Sequence, residues 1–542
     1  METTNTPSYY RRVLNAAPTL LICVIAACLL AYLFSIKTDV HIDECLSLSI
    51  ANNADGTYIP QYDQNVFYAD ASEPYLQKMA VRKGHEFDFA RTMQNDCQDT
   101  LPPLYYLLLH AVYSLSPGTF SIWFAAVLNI VIFVACALLL GKLARVLHMR
   151  RATAIGARAL FATLPGTLEM GLFVRMYVLA MLWAISLAIG CTYLLDRKER
   201  TRTGAVWIGL SLVGGALTHY YFLIFAFFIC LVTGILLLAG KRWKRAFCLA
   251  GVAVAAAILA VIAFPAMINQ LFFGQLNGAG MENLHSRSLA TSILAFVAIL
   301  NVRLAGGLLP AFGIVAIATA CSLVKTRILD SEKRTMLHDA WQPWIAIVVS
   351  AACYFLFVAK SSFYLDTRYM SPIYPLLIVV AVKVLELFAR HFFGERPLVG
   401  ILVLVCSLTT CLCFITFPIG SWEYDGSAGK GMIDTLDGGY RDAPVVVLYD
   451  GATVQRASAT WMLNQDSAGV VFTQPNNLYG LANALPPNTT RMVVELDVQL
   501  DEPTYLAQLQ GMFGNCNKVE KLGPYPSYYD VYALSYDPGI GA

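Results

Sequence analysis

The chain has 542 residues, 57% of them hydrophobic and only 14% charged, with a net charge of +2. A soluble protein carries about 25% charged residues, so a soluble globular enzyme is excluded, and nothing in so small a net charge asks for a nucleic-acid partner. The apolar residues gather in runs of about 20, long enough to cross a bilayer as helices.

The first run covers residues 17–36 and follows Arg11 and Arg12. It lacks a convincing small-residue cleavage site and more spans follow, so it reads as a span and not as a cleaved signal. An external segment then runs over residues 37–100. Residues 101–117, starting Leu-Pro-Pro-Leu-Tyr-Tyr, are apolar but short and read as a span or an interfacial helix. Further spans fit 121–141, 157–173, 176–195, 204–218, 220–238, 246–264, 306–324, 342–359, 371–389 and 398–417, with a second external segment, holding His285 and Arg287, over 265–305. From residue 420 the composition changes. Val445–Tyr449, Gly469–Thr473, Arg491–Leu496 and Tyr528–Tyr536 read as strands, with helices at Ala452–Leu463 and Pro503–Met512. Alternation of that kind predicts a small α/β domain with a largely parallel sheet. The expectation is a mainly α polytopic membrane protein of about 11 transmembrane helices plus interfacial helices. Its transmembrane domain would be 1–419 and its extracytoplasmic α/β domain 420–542.

Charge orients this array. Residues 37–100 hold eleven acids and five bases, net −6, and residues 420–542 hold fourteen acids and six bases, net −8. The balancing positive charge sits in short loops: Lys142 to Arg151, Arg197 with Lys198, Lys241 to Arg245, and Lys325 to Arg334. Short basic loops stay in the cytoplasm. The expected location is therefore the cell (plasma) membrane, with a cytoplasmic N-terminus and an extracytoplasmic C-terminal domain. Counting 101–117 as a full span would put Lys142 to Arg151 outside, which favours the interfacial reading. Cys45 and Cys97 share one external segment and could be joined by a disulfide in an oxidising compartment.

This topology sends one set of polar motifs to one face. Asp43 and Glu44 follow the first span, and Asp99 precedes Pro102, Pro103, Leu104, Tyr105 and Tyr106. Arg175-Met176-Tyr177 and Thr218-His219-Tyr220-Tyr221 join spans at the same surface, as do Lys360 and Asp366-Thr367-Arg368-Tyr369. The set suits transfer of a sugar carried on a polyprenyl phosphate. A carboxylate can activate an acceptor hydroxyl, and arginine holds phosphate oxygens bidentately. Phosphate leaves readily, so no separate general acid is required. The predicted roles are Asp43 as base with Glu44 assisting, Arg175 and Arg368 on the donor phosphate, and Asp99, Tyr105, Tyr177, His219, Tyr220 and Lys360 lining the site. The α/β domain would lie over the cavity and help select the acceptor. The residues point to no certain cofactor, and a divalent metal between Asp43 and Asp99 is possible.

Four stretches carry a resemblance: Asp43-Glu44, Asp99 to His110, Val174 to Tyr177 and Leu217 to Tyr221. With them the chain resembles bacterial membrane glycosyltransferases of the C-type fold, close to the protein O-mannosyltransferase and lipid A aminoarabinose transferase group (glycosyltransferase family 39-like). The resemblance implies a polyprenyl-phosphate-linked sugar as donor, an acceptor glycan, lipid or protein, and Asp43 as catalytic base. Two departures stand out. Leu101 replaces the His that precedes Pro-Pro in many relatives, and Leu168–Val174 lacks their usual Ser-Gln-Glu-Ala.

Plainer readings stand beside each of these. The acidic pair could be a solvated helix start, Arg175 a snorkelling arginine, the tyrosines an aromatic belt, and Arg368 the ion partner of Asp366. A transporter or flippase of lipid-linked saccharides, or a non-catalytic envelope assembly factor, is the alternative function. A transporter predicts charged residues deep in its spans and inverted repeats, whereas here the candidate residues gather at one face and no repeat is visible.

Overall fold

A computed structural model describes residues 8–196, 200–273, 282, 286–329, 334–513, 515–525 and 528–540. Arg197, Lys198, His285 and Lys333 lie outside the described residues, as do the side chains of Arg11, Arg12, Lys325, Arg327 and Arg334. The chain forms two compact units whose segments interleave in sequence. One comprises Met1–Tyr32, Thr100–Tyr105 and Ala126–Trp422, the other Leu33–Asp99, Tyr106–Ala125 and Glu423–Ala542.

Lipid leaves backbone polar groups no partner except the chain itself, so apolar runs become helices. Among the described residues, eight helical stretches are long and apolar enough to cross a membrane: Ala16–Ser35, Ile122–Val146, Tyr177–Leu195, Tyr220–Ala239, Trp243–Ala263, Trp341–Ser361, Thr367–Phe393 and Leu398–Thr416. The first lies wholly in helix α1 (Ser8–Ser35), whose residues divide between the two units after Tyr32. The helices between are α2 (Ile42–Asn52), α3 (Glu73–Met79), α4 (Phe89–Asp96) and α5 (Leu104–Tyr113), with α6 (Ile122–Val146) following. Helix α5 has ten residues, about 15 Å at 1.5 Å per residue, half the hydrocarbon thickness. The run 101–117 is therefore too short to be a full span.

The other three expected spans are also helical but shorter or broken. Residues 157–173 fall in α7 (Arg151–Thr163) and α8 (Pro165–Leu172), separated by Leu164 in an extended conformation, φ −73° and ψ 134°. Pro165 imposes the break, because proline disfavours a helical residue before it. Helix α9 (Tyr177–Leu195) then packs on α10 (Thr201–Ala216), which has only 16 residues. Gly204 permits close approach there: a Cβ on it would lie 3.0 Å from the Gly190 carbonyl, the small-residue contact that membrane helices favour. The helix Leu309–Leu329 covers the expected span 306–324 from its fourth residue on. Helices α11 (Tyr220–Ala239) and α12 (Trp243–Ala263) match their predicted ranges closely. A buried ion pair between Arg303 and Glu169 ties α8 to the end of the helix Leu289–Arg303.

The second unit is built on a six-stranded sheet of order β1-β3-β2-β4-β6-β5. Its strands are β1 (Phe67–Tyr68), β2 (Val445–Leu448), β3 (Val470–Thr473), β4 (Thr489–Asp497), β5 (Cys516–Tyr525) and β6 (Tyr529–Ile540). The centre β3-β2-β4 is parallel, as alternation with helices predicts. The rest is antiparallel. Strands β5 and β6 join through a short connection, which permits only antiparallel pairing, and β6 pairs antiparallel with β4. Strand β1 comes from the segment 37–100 and pairs antiparallel with β3. The core under the sheet includes Val446, Val471, Met492, Val494, Leu509 and Leu534.

Candidate functional site

In the sheet-bearing unit, the acidic motif starts helix α2. His41 is its extended N-cap, and the His41 Nδ1 accepts the Asp43 N–H at 3.1 Å. Glu44 answers by accepting the His41 N–H at 2.9 Å, completing a reciprocal capping box. The Glu44 carboxylate is fully buried and pairs with the equally buried Lys37 at 2.9 Å. Lys37 also donates to the Tyr424 carbonyl at 3.2 Å. Asp39 accepts the Gly429 N–H at 2.8 Å, and burial raises its carboxyl above the ordinary range although Lys37 opposes this. Lys37, Asp39 and Glu44 thus fasten the start of α2 to the segment Tyr424–Gly429. Asp43 differs: its side chain is 19% exposed, with its carboxylate 3.9 Å from His41 Nδ1. That nitrogen accepts a hydrogen bond, so the imidazole is neutral and the approach is no ion pair.

Tyr528 completes this end of α2. Its ring meets that of the N-cap His41 edge to face, 6.4 Å between centres. Burial first, then the Asp43 charge, raises the phenol above its ordinary range. Arg456 lies over the Tyr528 ring, 5.6 Å from its centre, and pairs with the buried Asp497 at 2.9 Å. Asp99 follows α4, half-buried, and accepts the Tyr106 hydroxyl at 3.5 Å. Cys45 is buried, Cys97 is exposed, and both are free thiols. Among the described residues no three His, Cys, Asp or Glu side chains gather as metal ligands. A metal between Asp43 and Asp99 would have to draw further ligands from water or substrate.

In the helical unit, three element starts bring their side chains together. Arg175 precedes α9, His219 caps α11, and Asp366 caps the 3₁₀ helix Thr367–Ile373. His219 Nδ1 accepts the Tyr221 N–H at 3.0 Å, which leaves the ring proton on Nε2. Burial, then the charges of Arg175 and Arg368, push His219 down to about 3. The imidazole is therefore a neutral donor beside two guanidinium groups. Tyr177 lies 5.2 Å from it, ring to ring, and stacks on Phe173. Arg368 pairs with Asp366 at 2.7 Å and lies over the Tyr369 ring at 5.3 Å. Asp366 is the counter-ion that the simpler reading of Arg368 expected. Both arginines are buried.

Comparison with known proteins adds the fold. No protein-family model matches the chain, and no curated protein matches it. The solved structure of ArnT from Cupriavidus metallidurans bound to undecaprenyl phosphate is 12% identical with a TM-score of 0.52, over 97% of this chain and 98% of that one. ArnT from the same organism in the apo state is also 12% identical, with a TM-score of 0.50, over 95% and 98%. The chain has the C-type glycosyltransferase fold. This C-type fold extends over almost the whole length of both chains.

Three predicted lining residues bond within the C-type scaffold. Tyr105 is fully buried and donates to Asn129 at 2.9 Å, and Asn129 donates to the Gly171 and Phe173 carbonyls. Tyr220 donates to Gln270 at 2.5 Å. Lys360 donates to the Arg287 carbonyl, while Arg287 donates to the Ser362 and Phe363 carbonyls. Lys37, Tyr528 and Arg456 were not singled out from the sequence. Lys37 had a signal, a lone lysine seven residues before a glutamate at the end of a span. Tyr528 and Arg456 had none, because the helix start that Tyr528 meets lies hundreds of residues away and Arg456's partners Asp497 and Tyr528 belong to other elements.

Proposed function

We propose that the chain is an integral-membrane glycosyltransferase that moves a sugar from a polyprenyl-phosphate donor to an acceptor hydroxyl at the outer face of the membrane. Asp43 takes the hydroxyl proton, the freed oxygen bonds to the anomeric carbon, and the carbon–oxygen bond to phosphate breaks. The lipid phosphate leaves with the bonding electrons. Arg175 and Arg368 hold its oxygens, and the His219 Nε2–H is a neutral donor suited to the same anion. Glu44 is an orienting residue, since its carboxylate is engaged by Lys37 and His41. Tyr177 and Asp99 line the site.

The observation that carries this reading is the pairing of Arg175 and Arg368 around a neutral His219, in a fold shared with a protein solved with undecaprenyl phosphate. The test is binding of undecaprenyl phosphate to the purified protein. Arg175→Met and Arg368→Met should each weaken it about tenfold or more, the loss of a charge-assisted pair. Wild-type affinity in both variants would remove the phosphate clamp from the account.

A further inference from the structure

A second cationic recess lies in the helical unit, at the far end of α9 from Tyr177. Lys142 and Arg145 lie beside Tyr193 and Asp196 there, and α9 has 19 residues, about 28 Å at 1.5 Å per residue. That length matches the hydrocarbon thickness of a bilayer, so this recess and the Arg175–His219 cluster belong to opposite leaflets.

The same Lys142 and Arg145 also line a wider, neighbouring recess between α1, α6 and α7, a cavity of about 1080 Å³. Its walls combine Leu20, Val134, Leu138 and Ile155 with the cations Lys142, Arg145, Arg151 and Arg158, and among the described residues no acid lines it. Arg158 is the informative member. It is 8% exposed, and it donates to a neutral hydroxyl, Thr19 Oγ1, at 2.7 Å. A Cβ at Gly141 would fall 1.7 Å from the Arg158 guanidinium, so the bare backbone of Gly141 makes the space this group occupies. A buried guanidinium facing a neutral hydroxyl is costly until an anion joins it. Apolar walls beside the cations suit acyl chains, and basic pockets between membrane helices are where anionic head groups bind.

We propose that this recess is a binding site for an anionic phospholipid of the leaflet opposite the Arg175–His219 cluster, with its phosphate held by Arg158, Arg145 and Lys142 and its chains lying along Leu20, Leu138 and Ile155. The assignment does not depend on the transfer reaction.

The experiment is titration of the purified full chain in detergent with phosphatidylglycerol, phosphatidylcholine and inorganic phosphate, read by native mass spectrometry. Phosphatidylglycerol should bind tighter than phosphatidylcholine, and millimolar inorganic phosphate should not displace it. Arg158→Gln and Gly141→Ala should each weaken phosphatidylglycerol about fivefold or more. Arg150→Gln should not, because Arg150 pairs with Glu395 and does not line the cavity. If Arg158→Gln cannot be purified, the double variant Arg145→Gln/Lys142→Gln gives the same reading. Equal binding of the two lipids, displacement by inorganic phosphate, or full phosphatidylglycerol affinity in the variants would overturn the assignment.

Discussion

Asp43 and Glu44 are neighbours with opposite fates. Glu44 is sealed against Lys37, while Asp43 keeps partial contact with solvent. Removing one partner of a buried pair strands the other charge, at about 3–5 kcal/mol, whereas replacing both with apolar groups is often close to neutral. Lys37→Met and Glu44→Leu should therefore each lower the melting temperature more than the double variant does, in thermal unfolding. His219 gives a pH prediction. Its folded value of about 3 is depressed from 6.5, so between those values the unfolded chain binds the extra proton. The stability from this group is complete above pH 6.5 and is lost as pH falls toward 3. His219→Phe should flatten that part of the stability curve, and an unchanged slope would show that His219 is not buried as a neutral ring. The acidic pair, Arg175 and His219 could be singled out from sequence because charged and polar types are rare beside apolar spans. The division of labour inside the pair could not, because Lys37 faces Glu44 and not Asp43 only once α2 has formed.

At the scale of elements, long helices were readable because each is one uninterrupted apolar run. The break at Leu164 was hidden in a run that hydropathy scores as continuous, although Pro165 marks it. Strand β5 was unreadable for a different reason. As an edge strand it carries Asn517, Lys518, Glu520 and Lys521, so it shows no apolar run. Strand β1 is two residues long and exists only because β3 pairs with it. The same long-range pairing makes Tyr528 part of the start of α2. Tyr528→Phe should keep the ring against Arg456 and His41 but remove the phenol oxygen from the start of α2, at about 1 kcal/mol. If α2 presents the catalytic base and the helical unit holds the lipid phosphate, turnover should fall while affinity for undecaprenyl phosphate stays at the wild-type level.

For the whole molecule, hydropathy and charge asymmetry made the membrane class legible, and the motifs made the C-type fold legible. The interleaving of the two units was not. Segments 33–99 and 106–125 belong with the C-terminal sheet, and no local signal encodes a partner more than 300 residues away. The account at this scale is that the acidic helix start supplies the base and the arginine cluster holds the lipid phosphate. Its most direct test is transfer of labelled sugar from a polyprenyl-phosphate donor by purified wild type and Asp43→Asn. The account predicts turnover by wild type and a loss of at least about a hundredfold in Asp43→Asn, the scale of a missing general base, with undecaprenyl phosphate binding retained. Wild-type turnover in Asp43→Asn would contradict it.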